Sequence, residues 1–134
     1  SKILATVGVV LAVFKLVALL VYVFVKDFSG TRRDIPTTNK LYSLWKEGDY
    51  QNVYDSSSLI IENNPLNITA NVFKGYSSFF LALSQTDISI SQTLLDETVN
   101  HLRISLYYAD EDTLPQIYYM LGKAYFLHII ITQI

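Results

Sequence analysis

Hydrophobic positions follow two different patterns along this chain. Residues 3 to 25, ILATVGVVLAVFKLVALLVYVFV, are apolar almost throughout and hold one charge, Lys15. About 20 such residues are enough for a helix to cross the hydrocarbon core of a bilayer, so the pattern predicts a spanning helix over residues 1–27. After residue 36 the apolar positions recur at helical spacing between polar breaks. Lys40 to Glu47 forms one such run, stopped at Gly48, and Asp49 to Ile61 a second, closed by Asn63-Asn64-Pro65 because proline cannot continue a helix. A third starts at Asn67, a good N-cap, and carries Val72, Tyr76, Phe79, Phe80 and Leu83. Ser84 to Ile90 is polar and reads as a loop. Ser89 and Gln92 have capping-box spacing for a fourth helix with Leu94, Leu95, Val99, Leu102 and Leu106. Thr113, followed by Pro115 and Gln116, opens a fifth. The expected fold class is all-α, one transmembrane helix followed by helical hairpins joined by short turns.

Two other readings compete for the apolar segment. A secretory signal peptide has an apolar region of about 7 to 15 residues and a small-residue cleavage site, whereas this run is longer and ends Phe24-Val25-Lys26-Asp27. A buried core helix needs enough surrounding protein to cover every side, and only about a hundred residues remain. The retained anchor is the reading adopted. Residues 28–36, with Gly30 and Pro36 among polar neighbours, form the expected linker, and 37–134 the helical domain. The chain has no initiator Met and stops within a helical pattern, which reads as a fragment of a longer protein.

Charge and chemistry narrow the function. From residue 34 onward, Lys40, Lys46, Lys74, Arg103 and Lys123 stand against eleven acids, a net charge of −6, which argues against nucleic acid as a partner. The chain contains no cysteine, hence no disulfide or zinc-thiolate site. It holds no Gly-rich phosphate loop, His-Glu-x-x-His motif or nucleophile elbow, so no enzyme activity and no cofactor are expected. His101 and His128 have no acidic partner at a metal-binding offset and read as structural or surface residues. Asp110-Glu111-Asp112 lacks the alternating ligands and glycine of a calcium loop and reads as a solvated loop before a helix. Asn67-Ile68-Thr69 is a formal glycosylation sequon better explained by capping.

An internal period links these helices. Glu47-Gly48-Asp49-Tyr50, with Val53, Ile60 and Asn64-Pro65, resembles the second half of a tetratricopeptide (TPR) repeat, and Tyr118 to Tyr125, YYMLGKAY, resembles the first helix of one. Gly75 takes the small-residue position of an intervening repeat, 34 residues after Leu41 and 47 before Gly122. The middle repeat is thus 13 residues too long, an excess assigned to Phe80 through Gln92. Val53, Thr98 and Ser105 stand where the family usually has alanine. The resemblance covers residues 34 to 134, about two and a half repeats, and implies a solenoid fragment whose last hairpin leaves an apolar face open. In that family the first helices line a concave groove. Carried over, the protein-binding positions are Tyr42, Trp45 and Lys46, then Val72, Tyr76, Phe79 and Phe80, then Tyr119, Lys123, Phe126 and Leu127. The Lys/Asn clamp with which some TPR domains hold a carboxylate is missing.

Within the span, Lys15 lies about ten residues, or about 15 Å, from either end, far for a snorkelling side chain. A lysine at mid-bilayer costs about 2.5–3.5 kcal/mol, so it usually faces protein or water. Ala5, Gly8 and Ala12 share its face at the small-residue spacing of helix contacts in lipid. The expectation is therefore a single-pass scaffold that binds other subunits through the groove and the span, in a hetero- or homo-oligomer. The Asn-, Ile- and Tyr-rich, alanine-poor composition resembles TPR proteins of spirochaetes and implies a large envelope assembly at the bacterial inner membrane, such as the flagellar motor collar. Lys26, Arg32 and Arg33 outnumber Lys2, which favours a cytoplasmic domain by the positive-inside rule, whereas the family resemblance favours the periplasm.

Overall fold

The structure is a computed structural model that describes residues 2–30 and 34–133. Among these it contains six helices and no strand: α1 Lys2–Gly30, α2 Thr38–Lys46, α3 Tyr50–Asn63, α4 Ile68–Ser84, α5 Ile88–Tyr108 and α6 Leu114–Thr132. The chain divides into two compact units, residues 1–34 and 35–134. The first is α1, which runs to Gly30 and so takes in the start of the expected linker; Arg32 and Arg33 lie outside the described residues. Its stretch Lys2–Phe24 is long and apolar enough to cross a membrane, and none of it is covered by protein.

In the second unit the local signals account for the helix ends. Thr37 accepts a hydrogen bond from the Lys40 amide, Asp49 from that of Asn52, and Asn67 from that of Ala70, each satisfying one of the amides a helix start leaves free. Gly48 turns the chain between α2 and α3 at φ +72°, a conformation that costs glycine no steric penalty. Two expectations about helix starts are corrected. α5 begins at Ile88, capped by Asp87, whose carboxylate accepts from the Ser89 and Ile90 amides, so Ser89 is not the cap. Asp87 stands two residues earlier and takes up the free amides of the first turn before Ser89 can. Thr113 precedes α6 but is itself helical in backbone and makes no side-chain capping bond.

The connection between the third and fourth expected helices also differs from expectation. Ser84 to Ile90 is not a loop: only Gln85, Thr86 and Asp87 separate α4, of 17 residues, from α5, of 21 residues. The end of α4 and the start of α5 are fastened together by the buried Ser91 hydroxyl, which donates to the Ala82 carbonyl at 2.9 Å.

From α2 to α6 consecutive helices pack on one another, and α4 also touches α2 and α6, so α4 is the central element of this unit. One part of the core joins Leu41, Val53, Ile60, Ala70 and Phe73, and the other joins Tyr76, Phe79, Ala82, Leu95, Leu102, Ile117, Met120, Leu121 and Ala124. Trp45 packs against both. The closest approach is at Gly75, where a Cβ would stand 2.6 Å from the Cγ and Cδ2 of the fully buried Leu102. A polar link lies beside it. Asn71, fully buried, donates from Nδ2 to the carbonyls of Pro65 and Asn67, which leaves its Oδ1 to accept from His101 Nδ1 at 2.8 Å. From α3, the Tyr54 hydroxyl donates to Glu97 on α5 at 2.6 Å. Burial first, then this carboxylate, raises the Tyr54 pKa.

Candidate functional site

The aromatic residues of α2 and α4 build a cleft. Tyr42 and Trp45 are three apart on α2 and face Phe73 and Tyr76, three apart on α4, a spacing that puts each pair on one side of its helix. Tyr42 meets Phe73 edge-on with ring centroids 4.9 Å apart, and Trp45 stands 5.8 Å from Phe73 and 5.9 Å from Tyr76. Ile68, Thr69 and Val72 continue the wall on α4, and the far side is closed by Tyr108, Ala109 and Asp110, then Thr113 and Gln116 at the start of α6. The enclosed volume is about 440 Å³, within the range of pockets that accept ligands.

Two polar groups belong to lining residues, and only the second is open to the cleft. The Tyr76 side chain is 6% exposed, yet its hydroxyl has no hydrogen-bond partner among the described residues. Leaving such a group unsatisfied costs about 1–3 kcal/mol, and the same burial raises its pKa. Asp110 is exposed, and among the described residues its carboxylate makes no ion pair. No basic side chain lines the cleft.

The expected groove residues divide into three groups. Tyr42, Trp45 and Tyr76 are brought together as described. Phe79 is not available at a surface: it is 5% exposed and belongs to the core with Leu95, Leu102 and Ile117. α4 is covered by neighbours on several sides, and Phe79 points among them. Phe80 is half-buried and spends its faces on other rings, stacked on Tyr50 at 4.8 Å and touching Trp45 and Phe79. Tyr119, Lys123 and Phe126 lie on α6 outside the cleft; Tyr119 and Phe126 are exposed, and the Lys123 ammonium lies 4.6 Å over the Tyr119 ring. Phe73, Tyr108, Asp110 and Gln116 were not expected in the site. Tyr108 and Asp110 stand at a helix end and in a connecting turn, where binding residues concentrate, and that position was the available signal.

A second surface emerges on α6. Tyr118, Gly122, Tyr125 and Ile129 form one stripe by their spacing of four, three and four, and the three side chains are 60%, 46% and 56% exposed. Nothing lies within 4 Å of where a Gly122 Cβ would be. The residues 47 positions earlier, Asn71, Gly75, Ser78 and Ala82, are all buried, and α5 meets them through His101, Leu102 and Ser91.

On α1, Ala5, Gly8, Ala12 and Lys15 are exposed and no atom approaches the Gly8 Cβ position. The histidines are engaged: His101 with Asn71, and His128 with Asp96 across α5 and α6 at 3.5 Å. Burial, then the Lys74 charge, lowers the His101 pKa, against a smaller opposite influence of Glu97. Among the described residues no three His, Asp or Glu side chains converge as metal ligands would. Comparison of the chain with known protein families, with curated proteins and with solved structures finds no match.

Proposed function

We propose that this chain is a membrane-anchored protein-interaction module, held at a bilayer by α1 and receiving a helix of another polypeptide on the open stripe of α6. The observation that carries this reading is the contrast between two equivalent stripes. Asn71, Gly75, Ser78 and Ala82 lie beneath α5, whereas Tyr118, Gly122, Tyr125 and Ile129 have no helix over them among the described residues. Apolar side chains on both sides of a helix call for protein on both sides. Large aromatic residues also dominate protein interfaces, because each buries much area at little entropic cost.

The contacts of α4 with α2 and α6, added to the packing of consecutive helices, support a TPR-like succession in which α2, α4 and α6 open hairpins that α3 and α5 close. The partner belongs, on this reading, to a large bacterial envelope assembly at the inner membrane, of which the spirochaete-type flagellar motor collar is the specific case that the composition suggests.

A photo-crosslinking residue at position 122 or 125 of the full chain, in cells, should give a discrete adduct, and the same residue at the exposed positions 100 and 103 of α5 should not. Equal yields at all four positions would show that the stripe is ordinary surface.

A further inference from the structure

We propose that the cleft between α2, α4 and the α5–α6 turn binds a basic side chain of a partner polypeptide, its cationic head held against aromatic rings and paired with Asp110. This deepens the reading of the helical unit as an interaction module and rests on it.

The lining has the composition that cations select. Tyr42, Trp45, Phe73, Tyr76 and Tyr108 surround one space with a single carboxylate, Asp110, at its rim and no basic residue in its wall. A cation within about 6 Å of a ring centroid is attracted by the negative face of the π-system, most strongly at tryptophan. The same unit already uses this contact elsewhere, with the Lys74 ammonium 5.3 Å over Tyr54 and Lys123 4.6 Å over Tyr119. In the cleft the rings are present and none of the lining residues supplies the cation.

The polar groups agree with that occupant. Asp110 is an exposed acceptor without an ion pair among the described residues. A guanidinium or ammonium brings donors and no acceptor, so it can pair with the Asp110 carboxylate. The net charge of −6 from residue 34 onward attracts a basic segment toward the unit. An anionic ligand would instead meet Asp110 with Glu111 and Asp112 beside it. A polypeptide is favoured over a small cation because Thr69, Thr113 and Gln116 line the same space and can pair with a backbone.

Trp45 is the one tryptophan of the chain, so its emission reports on the cleft directly. The test uses the full chain in dodecyl maltoside, titrated with the blocked pentapeptide Gly-Gly-Arg-Gly-Gly and with its isosteric, uncharged citrulline counterpart. The arginine peptide should change Trp45 emission saturably and bind about tenfold tighter than the citrulline peptide. Asp110→Asn should weaken it by about threefold, with less dependence on salt. Tyr42→Leu, which keeps apolar bulk but removes a ring, should weaken it as well. Tyr76→Phe should leave both the binding and the melting temperature unchanged, or raise the latter, because the deleted hydroxyl is sealed from the cleft and has no partner among the described residues. Equal binding of the two peptides, or an unaffected Asp110→Asn or Tyr42→Leu variant, would each overturn the proposal. So would a larger response to tetramethylammonium chloride than to the peptide, which would assign the cleft to a free quaternary ammonium group. Partner capture through α6 by a chain that ignores the arginine peptide would retain the interaction module and remove the cation site. Arginine-selective binding without adducts at 122 or 125 would do the reverse.

Discussion

Gly75 and Gly122 offer a paired test of the packing, since both lie inside helices and differ in what covers them. Replacing a helix-interior glycine by alanine gains about 0.8–1 kcal/mol of helix propensity when nothing else changes. At Gly122 nothing else should, as no atom lies within 4 Å of the new Cβ. Gly122→Ala should therefore stabilise the unit by up to about 1 kcal/mol. At Gly75 the new methyl would stand 2.6 Å from both Cγ and Cδ2 of Leu102. Relief of that overlap requires a shift of about 1 Å to reach ordinary carbon–carbon separation, by a side chain with no exposed surface, packed among Tyr76, Phe79 and Leu95. Overpacking of this kind costs about 1–3 kcal/mol, which offsets or outweighs the propensity gain and leaves Gly75→Ala up to about 2 kcal/mol less stable. In a domain of about 100 residues, 1 kcal/mol moves the melting temperature by about 4–8 °C. Thermal unfolding of the full chain in detergent, followed by Trp45 emission, should separate the two variants by about 10 °C. Adding Leu102→Ala to Gly75→Ala should cost less than the sum of the single changes, because the two side chains compete for one space. A Gly75→Ala protein as stable as Gly122→Ala would refute the close approach of α4 and α5.

Phe79→Ala should lower stability by about 3–4 kcal/mol and Phe126→Ala by less than about 1 kcal/mol, as measured by urea denaturation, since only the first empties a core site. For His101, burial favours the neutral ring, so its folded pKa is below the unfolded value of about 6.5. The resulting stability is fully present above about pH 6.5. It declines as pH falls toward the folded pKa, because the unfolded chain takes up the proton first. Denaturation midpoints measured from neutral pH down through the histidine range should show this decline, and His101→Gln should flatten it; an unchanged slope would mean that another group titrates. Removing residues 1–33 should move the protein from membrane to supernatant with its helical circular dichroism intact, because residues 35–134 are compact by themselves; retention after carbonate washing would exclude α1 as the sole anchor. Cysteines at positions 8 and 12 should cross-link more in membranes than cysteines at 10 and 14, and equal yields would show that Lys15 snorkels.

Local interactions explain which features were legible from residues alone. An unbroken apolar run, Asp49 and Asn67 at helix starts, Gly48 at a positive φ and Pro65 after a helix all act within a few residues. Helix class and most boundaries therefore follow from neighbouring residues. The failures occurred where two local signals competed. Asp87 and Ser89 are both good caps, and the one nearer the preceding helix won, its carboxylate accepting from the Ser89 and Ile90 amides.

The roles of the aromatic residues depended on distant segments. Phe79 and Phe126 have the same side chain and both sit on apolar helices, yet they are 5% and 67% exposed. The difference arises because α4 is enclosed by four other helices, while α6 is covered on one side only. Likewise the cleft joins Tyr42 to Asp110, 68 residues apart, and no periodicity links them. Sequence by itself determined the apolar segment, the helices and the acidic balance, since these depend on composition and short-range contacts. Only the tertiary structure decided which rings are core, which face solvent and which share a cavity with the Asp110 carboxylate, because burial is a property of how helices pack around one another.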